Sequence, residues 1–360
     1  MNLSSVIGIT TAVVMALALG CGGGKSKGES SKKPGAAPAA IAKGPKPPPT
    51  VKRKGTLGVR ANAAADRAGT EGSTDPEGTY DANGALTEEF MVNEPEYVIN
   101  TLVDALQPEP KARVNGIPIY VIDDPDTNAF AGCGNGGALM GITFPLIIFQ
   151  AASSEAKAYD EQFGTNFYRE YVDETAAGIK QGKPATGLAP GKLPKPGAVD
   201  PRKLARQRLL FDEQMAFVLG HELAHHYRGH TGCAPGKDEL QSAVEDMARI
   251  LSNTADPFNQ PLEAEADQFG IRNVMDAGAK RVQGAQWNEE GAMLTMDFFI
   301  SLMGAGIEDV LLGFLSTHPH PQIRMPIVRQ TAEIWRQTGG APAPATIPIP
   351  IPIPIPGLGQ

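Results

Sequence analysis

The sequence predicts an α+β fold in which helices dominate, and three observations carry that reading. Two runs, 117–122, rich in β-branched residues, and 138–143, reached through a Gly-rich turn, have the length of strands. Six longer stretches, 88–106, 153–180, 201–227, 260–278, 287–303 and 321–338, read as helices from apolar spacing and cap signals. Two flanking segments have no composition for a core: a basic Gly/Pro-rich stretch at 22–60 and Ala-Pro and Ile-Pro repeats at 341–356.

Taken in order, residues 1–21 carry no charged side chain and include an apolar run, 13–19, with the length of a signal-peptide core and too short to span a membrane. Leu17-Ala18-Leu19-Gly20-Cys21 resembles a bacterial lipoprotein cleavage site, with Cys21 as the lipidated first residue. Residues 22–60 carry a net charge of +9, against −8 for the 360-residue chain. With so little apolar surface to bury, 22–85 is expected to be a disordered tether. Placed after a lipid anchor, it would lie near anionic headgroups. Its basic residues lack interleaved aromatics and the remainder of the chain is acidic, which argues against nucleic acid as a partner.

Order is expected from Leu86, opening a domain that runs to residue 338 before a Pro-rich tail at 339–360. The helix at 88–106 contains Pro95, which should start or break it. The strand at 117–122 ends in an Asp/Pro turn. The segment Asn128-Ala129-Phe130-Ala131 then leads through glycines into the strand that carries Ala138, Leu139, Met140 and Gly141. A helix begins at Pro145, and Phe163, Phe167 and Tyr171 form a stripe within 153–180. Residues 181–199, rich in Gly, Pro and Lys, read as a mobile loop. Further helical stretches are expected at 238–251 and 307–315, with Asn259 capping the helix at 260.

Asp200 as N-cap and Pro201 at the first helical position start a helix that runs to about Tyr227. It carries Gly220-His221-Glu222-Leu223-Ala224-His225, an H-E-x-x-H motif in an apolar run from Met215. Four residues apart, His221 and His225 project from one helix face and can bind one zinc ion. Glu222 then sits beside a water at the metal, where it can take its proton. Buried histidines without partners would be costly, and a metal supplies the partner.

A catalytic zinc needs a third protein ligand. His226 and His230 are near but not ideally placed, and Arg228 and Thr231 stand where the metzincin pattern requires Gly and His. Glu263 and Asp267, i and i+4 on the next helix, are better placed: Glu263 as ligand, Asp267 as acceptor for the far ring nitrogen of a ligand histidine. Glu265 points to another face. Of the three cysteines, Cys133 and Cys233 remain to pair in an oxidising compartment if Cys21 is lipidated.

His221-Glu222-x-x-His225 followed by Glu263-x-x-Ala266-Asp267, with Asn128-Ala129-Phe130 before them and Thr317-His318-Pro319 and Arg324 after, resembles the HtpX/BepA-like zinc metallopeptidases, the CAAX-prenyl-protease family. The resemblance covers roughly residues 98–329, with four motifs in the family's order. It implies a compact α+β, gluzincin-type domain, mainly helical, with a small sheet whose edge strand borders the active site. The part between that strand and the active helix, 152–200, is an insertion. No multi-span hydrophobic region and no tetratricopeptide array is evident, which looks like the periplasmic lipoprotein branch.

The resemblance further implies one zinc ion held by His221, His225 and Glu263, with Glu222 as base and His318 stabilising the oxyanion or capping the metal. His320, two residues on, should face elsewhere. Polypeptide substrates would lie extended along 138–141. Cys133 and Cys233 fall at two places the family fold brings near the same site. The expected activity is that of an endopeptidase acting on misfolded envelope proteins at the periplasmic face of a membrane, the outer membrane in the first instance. The alternative is a chaperone-like quality-control or outer-membrane assembly factor with little proteolysis.

Overall fold

The computed structural model describes residues 49–58, 77–134, 137–233, 260–303 and 321–341. They form an α+β domain, with a four-stranded mixed sheet lying against helices. The strands are β1 (Thr50–Thr56), β2 (Pro118–Asp123), β3 (Ala129–Gly134) and β4 (Gly137–Thr143), in the order β1-β2-β4-β3. β1 pairs antiparallel with β2, β2 parallel with β4, and β4 antiparallel with β3. Ile119, Val121, Met140 and Ile142 face the main core, while Tyr120, Ile122, Phe130 and Leu139 make a smaller cluster on the other face, as the two-residue period of a strand requires.

β1 corrects the expectation that 22–85 is all tether. Its lysines and arginine do not need a core, because backbone pairing to β2 holds the strand and its charges find partners at the rim. Lys52 reaches Glu88 at 2.9 Å and Arg53 reaches Glu96 at 2.6 Å. The Lys52 and Lys54 ammoniums lie over the rings of Phe144 and Tyr120. Lysine on an outer strand is a common device against edge-to-edge association, so a composition that signals disorder also suits an edge.

The helices are α1 (Glu88–Ala105), α2 (Pro108–Val114), α3 (Phe144–Phe163), α4 (Phe167–Lys180), α5 (Pro201–Tyr227), α6 (Gln260–Ala279), α7 (Glu290–Met303) and α8 (Pro321–Thr338). α1 runs through Pro95 unbroken, and the helix expected over 153–180 is two, divided by a left-handed Gly164. No helix among the described residues is long and apolar enough to cross a membrane. The expected helices at 238–251 and 307–315, the cap at Asn259, the leader and Cys21, and most of the Pro-rich tail lie outside the described residues.

α5 is the centre of the domain. Asp200 caps it, its carboxylate accepting the Arg202 N–H at 2.9 Å. From Leu210 to Ala224 every residue is buried, with α3, α6, α7 and α1 packed around it, the situation that lets a helix be apolar all round. Two of the polar residues in this stretch are answered from neighbouring side chains: Asp212 by Arg208 at 2.9 Å, and Gln214 by Ser153 and Ser154.

Residues 181–199 are not the mobile loop their composition suggests. Ala185, Leu193 and Ala198 are buried. Tyr171 Oη donates to the Thr186 carbonyl at 2.8 Å and Tyr159 Oη to that of Pro194 at 3.3 Å. The fully buried Lys203 gives its three N–H groups to Glu155 Oε1, Gly84 O and Ala198 O at 3.0–3.3 Å. Glycine and proline deny this stretch a regular helix but not a packed surface.

One buried acid gives the fold a pH dependence. Glu213 Oε1 accepts the Asn288 N–H at 3.0 Å at the entry to α7, and burial pushes its carboxyl from 4.5 up to about 8. The raised value favours the folded state fully below pH 4.5, and that advantage is lost as pH rises towards 8. Glu213→Gln keeps the acceptor and removes the charge. It is expected to flatten the loss of stability between pH 5 and 8 and to gain up to about 3 kcal/mol at pH 7. Urea melts of both proteins across that range check this; parallel pH profiles would refute it.

Candidate metal centre

Two glycines let α5 and α6 cross at close range. A Cβ on Gly270 would lie 2.9 Å from the backbone N of His221, and one on Gly220 would lie 3.2 Å from the Gly270 carbonyl. With no side chain at the crossing, the first turns of α6 lie directly opposite His221 and His225.

The result is a triangle of ligand atoms. His221 Nε2 and His225 Nε2 are 3.1 Å apart; Glu263 Oε2 is 3.3 Å from the former and Glu263 Oε1 3.4 Å from the latter. These three residues form the described cluster that could hold a metal ion. Donors at zinc-ligand bond lengths of about 2.0–2.1 Å and tetrahedral angles stand about 3.3–3.4 Å apart, so the donor set fits zinc in type and spacing. His221 and Glu263 are buried, and His225 shows 12% of its side chain to solvent.

Asp267 lies behind the first histidine of the triangle: His221 Nδ1 is 2.9 Å from its Oδ1, and with the ring proton on Nδ1 the lone pair of Nε2 faces the triangle. Arg324 of α8 clamps the same carboxylate with two bonds, Nη2 to Oδ1 at 2.7 Å and Nε to Oδ2 at 2.8 Å. Burial opposes ionisation of Asp267, but the Arg324 guanidinium and His221 outweigh it and hold the carboxyl below its usual range. Burial and Arg324 likewise oppose a charge on His221, yet Asp267 and Glu263 win and push it up to about 9. These carboxylates favour a proton on His221, which a metal ion must displace to take the Nε2 lone pair. Glu222 is 2% exposed, and its charge adds to the carboxylates that hold Arg324 protonated.

Sequence spacing gave Arg324 no role of its own, because it lies 57 residues beyond Asp267 and only packing of α8 joins them. Two histidines passed over as ligands also have defined places. His226 Nε2–H donates to the Leu139 carbonyl at 3.0 Å and its Nδ1 accepts from Thr231 Oγ1 at 3.1 Å, tying α5 to β4; burial pushes it down to about 4 and keeps it neutral. His230 Nδ1 is 3.1 Å from His225 Nδ1, and its Nε2 is 2.9 Å from Glu265 Oε2. Glu265 faces this pair and Arg228, outside the triangle. His318 and His320 lie outside the described residues.

The edge strand needs correction. β4, with Ala138, Leu139, Met140 and Gly141, is interior: Met140 is paired with Ile119 on one side and Ala131 on the other. Its backbone groups are already used, and an added strand has nowhere to bond. Among the described residues the edge on this side is β3, and it packs on α5.

Cys133 of β3 and Cys233, beyond the end of α5, form a disulfide with Cα atoms 5.6 Å apart and a sequence separation of 100. It ties the edge strand to the segment that follows the H-E-x-x-H helix. Replacing both by serine is expected to cost about 2–5 kcal/mol, since closure of so long a loop is lost from the unfolded state. Urea denaturation measures that loss. Mass analysis after thiol labelling of unreduced, denatured protein should find both cysteines unlabelled; labelled peptides would rule the bond out.

No match was returned among curated proteins or among solved structures. The model of Peptidase family M48 matches residues 96–332. That match reaches from within α1 to within α8 and encloses His221, Glu222, His225, Glu263, Asp267 and Arg324, and on this evidence the chain belongs to peptidase family M48, a family of zinc metallopeptidases.

Proposed function

We propose that the protein is an endopeptidase that uses one zinc ion at His221, His225 and Glu263 to cleave misfolded proteins of a bacterial envelope. The observation that carries this is the buried 3.1–3.4 Å donor triangle with a glutamate, Glu222, in the adjoining helical position. When bound, zinc supplies Lewis-acid activation of water and of the scissile carbonyl. Glu222 takes the proton of the attacking water, holds it while the tetrahedral adduct forms, and delivers it to the leaving amine. A structural zinc site needs no such base. Asp267 and Arg324 keep the His221 ring aimed.

The substrate backbone adds to the outer edge of β3, Ala129–Gly134, which runs beside α5. His318 stabilises the oxyanion or caps the metal. Placement in the envelope, as in the periplasmic lipoprotein branch, draws support from the lipoprotein-like sequence ending at Cys21 and from the disulfide, a bond of oxidising compartments. A lipid on Cys21 would hold the protein at the membrane. The alternative is a chaperone-like assembly factor that cleaves rarely.

Purified protein incubated with casein and with unfolded β-barrel proteins separates the two readings. Cleavage that a chelator abolishes and added zinc restores supports the peptidase. Suppressed aggregation of the β-barrel proteins with no fragments supports the chaperone.

A further inference from the structure

The two histidines of the triangle are supported in different ways. His221 rests directly on a carboxylate, Asp267, which a buried arginine clamps. His225 meets an imidazole at its far nitrogen. Its Nδ1 meets the Nδ1 of a second imidazole, His230, at 3.1 Å, and the carboxylate stands one step further out: His230 Nε2 to Glu265 Oε2 at 2.9 Å. Glu265 is in turn held by Arg228, with Nε at 2.9 Å and Nη2 at 2.5 Å from its Oε1. Each arm thus ends in a carboxylate–guanidinium pair, one directly and one through an inserted histidine.

The protons of the second arm can be placed in one way. His225 must present an Nε2 lone pair to the triangle, so its proton is on Nδ1. That proton needs an acceptor, so His230 Nδ1 is bare and its own proton lies on Nε2. This N–H then donates to Glu265. All four ring nitrogens have a partner, and the negative charge of Glu265 is felt at His225 through a polarised ring.

The geometry points to His230 and Glu265 as positioning residues that fix the tautomer and aim of His225 and thereby hold the metal. The inference rests on the metal-site reading and assigns a job to two residues outside it. Such outer partners typically contribute 10- to 100-fold in metal affinity. The second arm is also the more open one. His221, Asp267 and Arg324 show 3% or less of their side chains, whereas Glu265 and Arg228 show 31% and 38%. His225 is therefore the ligand whose support water can most readily disturb.

The test measures zinc affinity of the full chain by competition with a chromogenic chelator, together with the visible spectrum of the cobalt-substituted protein. His230→Phe keeps a ring and removes the acceptor; roughly 10- to 100-fold weaker zinc binding and an altered cobalt spectrum are expected. His230→Gln offers an acceptor and a donor together and should recover much of the loss. Glu265→Gln, at a half-exposed position, should fold even if His230→Phe does not, and should weaken zinc measurably.

A merely structural role would lower the melting temperature of the metal-free protein and leave zinc affinity alone. Zinc affinities of His230→Phe and Glu265→Gln within twofold of wild type, with an unchanged cobalt spectrum, overturn the relay. Wild-type protein that takes up no zinc overturns the metal-site reading instead.

Discussion

Glu222→Gln is expected to bind zinc at the wild-type stoichiometry, melt close to the wild-type temperature, and lose cleavage by roughly 10²- to 10⁴-fold, the usual contribution of a positioned general base. The change is isosteric and touches no atom of the donor triangle, which is made by His221, His225 and Glu263. Glutamine cannot take a proton from water or return one to the leaving amine. The loss should therefore fall on kcat, with KM little changed, because the substrate's backbone contacts remain. Any substrate that wild type cleaves in a chelator-sensitive way will serve. Equal turnover by the two proteins would remove Glu222 from the mechanism.

Glu263→Ala is expected to act one step earlier, on the metal itself. It removes one of three protein ligands and leaves two imidazoles whose Nε2 atoms face each other at 3.1 Å without the carboxylate. If each ligand carries about a third of the ~10–16 kcal/mol seen for structural zinc sites, affinity falls at least 10²- to 10³-fold. Zinc counted after dialysis against a weak chelator should be near one per chain for wild type and near zero for the variant. The contrast is Glu265→Ala, which should bind zinc fully at saturating metal, because Glu265 bonds Arg228 and His230 and offers no atom to the triangle. A site emptied by Glu265→Ala and not by Glu263→Ala would mean that the helix faces are assigned the wrong way round. Pairing the two glutamates separates loss of metal from loss of chemistry: Glu263→Ala is inactive because it is empty, Glu222→Gln while loaded.

Much of this site was legible in the order of residues, because its parts are local. The four-residue spacing of His221 and His225, the Asp200-Pro201 start of α5 and the i, i+4 pair of Glu263 and Asp267 all follow from 3.6 residues per turn and the chemistry of helix ends. α5 and α8 begin and end where those signals put them. What the tertiary structure decided is where distant pieces meet. A basic stretch became β1 because β2 offered it a backbone to pair with, and composition carries no record of that offer. β3 and not β4 became the edge because β4 sits between two partners, and strand order is a long-range choice that neither strand's sequence encodes alone. Arg324 reached Asp267 because α8 packs on α6, and His230 and Glu265 found each other 35 residues apart where α6 crosses beneath the end of α5. The crossing itself turns on Gly220 and Gly270, whose missing side chains draw no notice in a linear reading and in three dimensions set the distance between the two helices that carry the ligands.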